Sequence, residues 1–179
     1  DAAATKPYGF MKFQPGPGLG GHCIPVDPTY LAWKMKSLNF PARFIELATE
    51  INGQMPEHVV DKVAAILNED RIAVNGSQVL ILGVAYKADV GDMRESPAID
   101  ILRMLAQRGA EISYHDPHVA ELVVDDASYK SSDLNDDLLE SADVVVILTD
   151  HDEVDYARVV ARAARVFDTR NSTRRVVEG

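Results

Sequence analysis

The chain is poor in cysteine, in basic residues and in long apolar runs, and each shortage excludes a class of protein. One cysteine among 179 residues cannot form an intrachain disulfide, which fits a reducing cytoplasm. Lys and Arg number 18 against 28 Asp and Glu, so the clustered positive charge that nucleic-acid phosphates require is missing. No apolar run approaches a membrane span, and no basic segment followed by an apolar stretch indicates a signal peptide. We expect a cytoplasmic protein that binds neither nucleic acid nor membrane.

Three regions follow one another along the chain. Residues 1–27 are rich in glycine and proline and are expected to form tight turns. In residues 28–74, apolar side chains at three- and four-residue spacing predict a short helix to about Leu38 and a long one over 42–68, which Pro56 kinks or divides. Residues 75–179 are the third region, predicted as one α/β domain.

Strands and helices alternate in this third region. Predicted strands cover 78–83, 110–114, 143–148 and 165–168, with helices over 96–108, 137–141 and 154–164 and a loop-rich acidic stretch before 137. Such alternation predicts a Rossmann-like, doubly wound parallel sheet with helices on both faces.

Gly16-Pro-Gly-Leu-Gly-Gly21 matches G-x-G-x-x-G, the dinucleotide-binding turn. That turn needs a strand before it and a helix directly after it, whereas His-Cys-Ile-Pro-Val-Asp-Pro follows here. The strand at 78–83 has the right context but lacks the glycines. A dinucleotide turn at these glycines is therefore disfavoured.

Cys23 and Asp27 are the residues of this loop best suited to chemistry. A lone cysteine is usually a small buried apolar residue, but the surrounding prolines and glycines argue against a core position. Asp27 is close enough along the chain to orient water or accept a proton. Its structural alternative is a helix cap before Pro28.

Three motifs in order resemble the UDP-glucose/GDP-mannose dehydrogenase family: Gly-Leu-Gly-Gly-His-Cys-Ile-Pro-Val-Asp-Pro, Gly83-Val-Ala-Tyr-Lys87 and Asp92-Met-Arg-Glu-Ser-Pro97. The cysteine motif is most similar to the branch that oxidises UDP-N-acetylglucosamine or UDP-N-acetylmannosamine. The resemblance covers nearly the whole chain, but only the later half of such an enzyme. It implies a central helical segment that forms a homodimer, and a C-terminal domain that binds the nucleotide sugar. The family's NAD-binding domain and the upstream helix that carries a catalytic Lys and Asn are not in this sequence.

The resemblance implies a reaction in which the C6 alcohol of a UDP-sugar is oxidised twice by NAD to a uronic acid, through a thioester on cysteine. Catalysis would fall to Cys23 and Asp27. Substrate binding is expected at Gln14, Pro15, Gly16, Pro17, Gly18, Leu19, Gly20, Tyr86, Lys87 and Arg170. Cofactor binding is expected at Cys23, Ile24, Pro25, Val26 and Arg94.

Structural alternatives to these roles remain open. Lys87 could be a solvated surface residue, and Arg94 could form an ion pair with Asp92 or Glu95. His115 and His118 are too few for a metal site, and none is expected. Asp116 occupies the place of an NAD-ribose acid but is better explained as a turn-forming Asp-Pro.

Other functions also remain open. The chain could be a non-catalytic UDP-sugar-binding and dimerisation module, and as a part of a longer enzyme it is expected to be inactive alone. A different NAD-binding protein is disfavoured by the glycine context, and a cysteine hydrolase by the lack of an evident partner histidine. The sequence does not determine which sugar is bound.

Overall fold

The described part of the chain, in a computed structural model, comprises residues 2–6 and 8–177, except for the side chains of Arg175 and Val177. Asp1, Pro7, Glu178 and Gly179, which belong to the predicted first and third regions, lie outside it. After a short 3-10 helix at Ala2–Thr5, the elements run in this order: α1 Asp27–Ser37, α2 Arg43–Glu69, β1 Gln78–Leu82, α3 Pro97–Gln107, β2 Glu111–His115, β3 Glu121–Val124, β4 Ala127–Lys130, α4 Asp136–Ser141, β5 Val144–Ile147, α5 Tyr156–Arg162, β6 Val166–Asp168 and α6 Arg174–Val177.

Four of the strands form a parallel sheet in the order β2-β1-β5-β6. Strand β1 pairs with β2 on one side and with β5 on the other, so the strand order reverses at β1. Parallel α/β sheets bind ligands in the crevice outside the carboxyl ends of the strands at such a reversal. The predicted doubly wound fold class is confirmed.

Apolar residues of β1 alternate between two separate cores, one on each face of the sheet. Val79 and Ile81 face the helices α2 and α3, and Leu80 and Leu82 face α4 and α5. All four side chains are buried because a parallel strand has helices on both sides, which explains its unbroken apolar run.

Helix α2 is one continuous helix that contains Pro56 and is not divided there. Its second half packs into the core through Val59, Val63 and Leu67, each almost fully buried. Its first half leaves Phe44, Leu47 and Ile51 exposed. The second half of α2 is therefore part of the core, whereas the first half lies at the surface.

The acidic stretch before α4 is not the irregular loop that the sequence predicts. It contains an antiparallel hairpin, β3 and β4, whose Leu122 and Val124 are buried. Its turn places Asp125 in the left-handed backbone region. Val123, between the two buried residues, is exposed although it is apolar. The sequence therefore lacks the apolar–polar alternation that would indicate a strand.

Candidate functional site

Cys23 lies in a tight turn that leads into α1. Its carbonyl oxygen accepts hydrogen bonds from the N–H groups of Val26 at 3.2 Å and Asp27 at 2.8 Å. The side chain is exposed, which excludes the alternative of a buried apolar cysteine. Asp27 is the first residue of α1, and no side chain caps that helix. The structure therefore does not support a buried Cys23 or a capping role for Asp27, and both side chains are exposed.

Two backbone hydrogen bonds attach the glycine-rich segment to the rest of the protein. The Leu19 N–H donates to Oδ1 of Asn52 on α2 at 2.7 Å, and the Gly21 N–H donates to the Arg94 carbonyl at 2.8 Å. Asn52 was not identified from the sequence, since an isolated polar residue in a helical pattern has no distinguishing signal. The loop is thus anchored between α2 and the segment that follows β1.

Gly20 packs so closely against that segment that it has no room for a side chain. A Cβ atom there would lie 2.5 Å from Tyr86 Cβ and 2.8 Å from the Glu95 carbonyl oxygen. At Gly16, an added Cβ would collide with the Arg170 guanidinium group. Glycine is needed at position 20 because the neighbouring atoms there belong to the backbone or to a Cβ, whereas the flexible Arg170 side chain could move away from a Cβ at position 16.

Most of the predicted substrate-binding residues line two adjoining hollows, but Gly20 and Lys87 do not. One, of about 340 Å³, is lined by Gln14, Pro15, Gly16, Gly18, Leu19 and Arg170, with Ala48, Ile51, Asn52 and Met55 of α2 as its other wall. The second is a narrow crevice lined partly by Pro17, Gly18, Tyr86 and Arg170. Tyr86 follows β1 and Arg170 follows β6, so both hollows lie beside carboxyl ends of the sheet.

Arg170 is held by acidic residues of its own and a neighbouring segment. Its Nε lies 3.4 Å from Asp150 Oδ1, and its backbone N–H donates to Asp168 Oδ1 at 2.9 Å. Asp150 follows β5 and was not among the residues predicted from the sequence. An anionic ligand at Arg170 would therefore compete with Asp150 for the guanidinium group.

Lys87 is exposed and lines neither hollow. Its Nζ lies 5.9 Å from the centre of the Tyr86 ring, within cation–π range. The solvated-surface alternative for Lys87 fits this conformation, although the preceding residue, Tyr86, lines the second hollow.

Arg94 forms an ion pair with Asp92, which is one of the two partners expected if Arg94 has a structural role. Its Nη2 lies 2.6 Å from Asp92 Oδ2, and its Nε is 3.0–3.1 Å from both carboxylate oxygens. Hydrogen bonds from Arg94 lower the pKa of Asp92 to about 2, and the pair raises the pKa of Arg94. Because Arg94 is largely exposed, the pair contributes little to stability and its guanidinium group remains accessible.

Ile24 and Pro25, two of the predicted cofactor residues, line an apolar-walled cavity of about 510 Å³ with Leu19, Phe44 and Glu95 among its other lining residues. Apolar walls suit a flat ring, and the exposed Arg94 next to the cysteine loop suits an anionic pyrophosphate. The residues present therefore fit part of an NAD molecule. Val26 precedes α1 and does not line this cavity.

Asp89, His118 and His151 form a cluster whose candidate metal-ligand atoms lie within 4.8 Å of one another. His115 is elsewhere, with Nδ1 2.8 Å from the Ser132 carbonyl oxygen. Both ring nitrogens of His151 already have partners, because Nδ1 accepts from the Asp89 N–H at 3.0 Å and Nε2 lies 3.1 Å from Asp116 Oδ2. A metal bound through His151 would have to displace one of these bonds.

Asp116 is buried, which removes it from contact with a cofactor ribose at the surface. Its Oδ1 accepts from the His118 N–H at 2.8 Å, two residues on, so the turn-forming interpretation is confirmed.

Two segments of the chain match separate domains of one family. Residues 1–54 match the central domain of the UDP-glucose/GDP-mannose dehydrogenase family, and residues 80–175 match its UDP-binding domain. The chain therefore belongs to this family.

Individual relatives agree with this assignment. A UDP-N-acetyl-D-mannosamine dehydrogenase from Methanococcus maripaludis is 36% identical over 165 residues, which are 88% of this chain and 36% of the relative. A UDP-N-acetyl-D-glucosamine 6-dehydrogenase from Pseudomonas aeruginosa is 37% identical over 119 residues, 66% of this chain and 28% of the relative. The solved UDP-D-ManNAc dehydrogenase of Pyrococcus horikoshii has a TM-score of 0.78 at 28% identity, covering 96% of this chain and 39% of that structure.

The chain spans between 28% and 39% of the length of these relatives. Among the helices within residues 2–6 and 8–177, none is both long enough and apolar enough to cross a membrane.

Proposed function

We propose that this chain is the substrate-binding and cysteine-loop part of an NAD-dependent nucleotide-sugar 6-dehydrogenase that acts on a UDP-N-acetylhexosamine. The observation that carries the proposal is the meeting of the 14–20 segment with Tyr86 and Arg170 beside the carboxyl ends of the sheet, next to an exposed Cys23. The printed activities of the Methanococcus and Pseudomonas relatives support the sugar class.

The substrate would be held through complementary charge and stacking. Arg170 would bind a phosphate or the uracil ring, since a guanidinium fork pairs well with planar and anionic acceptors. Tyr86 offers an aromatic face, and Lys87 offers a cation that can turn from this ring towards a phosphate.

Cys23 would act as the nucleophile of the second oxidation. Its thiolate attacks the C6 aldehyde to form a thiohemiacetal, and loss of a hydride from C6 then gives a thioester. Water hydrolyses the thioester to the uronic acid and returns the thiol. The loop places Cys23 in solvent contact, which the hydrolysis step requires.

Asp27 would position or deprotonate the hydrolytic water. It begins the helix whose first turn contains the hydrogen bond to the Cys23 carbonyl, so the two residues keep a short separation. Its side chain is exposed, so a water molecule can reach the carboxylate.

NAD, when bound, accepts the hydride removed in each oxidation. Arg94 would pair with its pyrophosphate, and Cys23, Ile24, Pro25 and Val26 would lie against the nicotinamide end. Since Arg94 is engaged by Asp92, cofactor binding would exchange one anionic partner for another.

A homodimer through α1 and α2 is part of the proposal. Exposed apolar side chains are concentrated on these helices, at Tyr30, Leu31, Trp33, Leu38, Phe44, Leu47 and Ile51. Several exposed apolar side chains on two neighbouring helices are typical of an interaction surface, although Phe44 and Ile51 also line the cavity and the hollow described above.

The alternative is a non-catalytic module that binds UDP-sugar and dimerises. It is favoured by the segment after β1, Gly83-Val-Ala-Tyr86, because this segment is not a dinucleotide-binding turn. The two proposals make the same prediction for UDP binding and different ones for NAD reduction.

Calorimetric titration of UDP into the chain tests the common prediction. We expect saturable binding that Arg170→Met weakens and Arg103→Met leaves unchanged, since Arg103 is also a half-buried arginine paired with aspartates, but on α3. No binding by the wild-type chain would contradict both proposals. Reduction of NAD with a UDP-sugar by this chain alone would contradict the expectation that it is inactive without further domains.

A further inference from the structure

The loop between β1 and α3, residues 83–96, carries Tyr86, Lys87 and Arg94, and side chains from elsewhere hold its main chain. Asp116 follows β2 and is buried. Its Oδ2 accepts the N–H groups of Val84 at 2.8 Å and Ala85 at 3.0 Å. Two successive amides immediately before Tyr86 therefore depend on one carboxylate oxygen.

His151 extends this anchor to the far side of Lys87. It is fully buried after β5, and its Nδ1 accepts the Asp89 N–H at 3.0 Å. Because a backbone N–H is always the donor, Nδ1 carries no proton, and Nε2–H donates to Asp116 Oδ2 at 3.1 Å. Asp89 Oδ1 in turn accepts the Asp152 N–H at 3.0 Å.

Two side-chain hydroxyl groups also bind main-chain carbonyls of the same loop, one from its last residue and one from the segment after β5. Ser96 Oγ donates to the Val84 carbonyl at 2.7 Å, and Thr149 Oγ1 donates to the Ala85 carbonyl at 2.6 Å. The backbone on either side of Tyr86 and Lys87 is thus fixed, whereas the Lys87 side chain is exposed.

We propose that Asp116 and His151 are positioning residues for the substrate: they hold the backbone at Val84, Ala85 and Asp89 so that Tyr86 and Lys87 face the nucleotide in a single arrangement. This inference rests on the proposed UDP binding. A pre-ordered loop does not lose conformational freedom when ligand binds, so loss of the anchor lowers affinity without removing a ligand contact.

Three substitutions of His151 distinguish the effects of its two hydrogen bonds. His151→Gln can keep the donor to Asp116 but loses the acceptor for the Asp89 N–H. His151→Asn can keep that acceptor but loses the donor, and His151→Phe loses both. His58→Gln, an exposed histidine on α2, is the control. The polar variants keep the test valid if His151→Phe does not fold.

The experiment measures amide hydrogen exchange by NMR and UDP affinity by calorimetry on the same samples. In His151→Gln we expect about five- to tenfold faster exchange at Asp89, with the β1 and β5 amides unchanged, because one net hydrogen bond is lost locally. We expect UDP to bind several-fold more weakly, and His151→Asn to restore slow exchange at Asp89. A general loss of stability would instead speed exchange throughout the sheet.

Several results would overturn the inference. Unchanged exchange at Asp89 in His151→Gln would mean that the histidine does not hold the loop. Faster exchange with unchanged UDP affinity would mean that loop order does not affect binding, and the proposed function would stand. No UDP binding by the wild-type chain would overturn the proposed function and this inference together.

Discussion

At the scale of single residues, Cys23 carries the chemistry of the proposed reaction. Its exposure and the turn into α1 give it access to a substrate and to water. In a complete dehydrogenase that contains this chain, Cys23→Ser should abolish formation of the uronic acid, because an alkoxide is far harder to generate than a thiolate. Mass spectrometry of the products would check this. Full turnover to the acid would remove Cys23 from its role.

A substitution at Gly20 tests how closely the loop packs against Tyr86. Gly20→Ala would force a Cβ to within 2.5 Å of Tyr86 Cβ and 2.8 Å of a backbone oxygen, so we expect a loss of about 1–3 kcal/mol in unfolding free energy. Gly53→Ala is the matched control, since it lies inside α2 with no atom within 4 Å of the added Cβ. There the change should stabilise by up to about 1 kcal/mol. Urea unfolding of both variants measures the contrast, and equal effects would contradict it.

The free energy of unfolding should depend on pH through the carboxyl group of Asp116. Burial raises the pKa of its carboxyl, but hydrogen bonds from His151 and from the amides of Val84, Ala85 and His118 outweigh this and hold it well below the usual value. A lowered folded-state pKa stabilises the protein above about pH 4, the unfolded value, and that contribution is lost as the pH falls further. The difference in urea midpoint between wild type and Asp116→Asn should therefore be large at pH 7 and shrink below about pH 4. A difference independent of pH would contradict this assignment.

At the scale of elements, α2 divides into a core half and a surface half. Leu67 is fully buried and Leu47 is about half exposed. Leu67→Ala should cost about 2–5 kcal/mol in unfolding free energy, whereas Leu47→Ala should change the stability of the monomer by no more than about 0.5 kcal/mol. Urea unfolding at low protein concentration measures both.

Self-association should be more sensitive to the substitution of the exposed Leu47 than to that of the buried Leu67. Leu47→Ala should weaken the proposed dimer in sedimentation analysis, because Leu47 belongs to the exposed apolar surface. Unchanged sedimentation of Leu47→Ala, or a strictly monomeric wild-type chain at high concentration, would count against the dimer.

The central strands β1 and β5 could be predicted because each is a short, nearly continuous apolar run. β1 and β5 lie within one residue of their predicted bounds, since burial on both faces demands apolar residues at every position. The β3–β4 hairpin could not be predicted, because Val123 is exposed between two buried residues and the turn is acidic. Its position depends on tertiary contacts that leave no local periodicity.

The candidate site was predictable where residues are contiguous and less so where they converge from distant segments. The exposed position of Cys23 follows from the glycines and prolines around it, which argue against a core position, whereas the roles proposed for the loop residues depend on the resemblance to the dehydrogenase family. Asn52 and Asp150 were missed, since their roles depend on hydrogen bonds to Leu19 and Arg170, which lie 33 and 20 positions away. Asp116 was recognised as a turn residue, but its link to His151 exists only in the folded sheet.

At the scale of the whole molecule, the candidate site is assembled from four parts of the chain. The glycine-rich loop, the first half of α2 and the carboxyl ends of β1 and β6 contribute to the same hollows. Cys23 lies three residues after the end of the glycine-rich segment 14–20, so we expect ligand binding in these hollows to change the environment of its thiol.

Alkylation of Cys23 tests this coupling most directly, because it is the only thiol in the chain. Iodoacetamide labelling would be followed by mass spectrometry with no ligand, with UDP and with UDP-N-acetylglucosamine, at concentrations that calorimetry shows to be saturating. The account predicts that the UDP-sugar slows alkylation several-fold and that UDP alone slows it less, since the sugar C6 would lie against the sulfur. An alkylation rate that a bound UDP-sugar leaves unchanged would contradict the assignment of Cys23 to the substrate site.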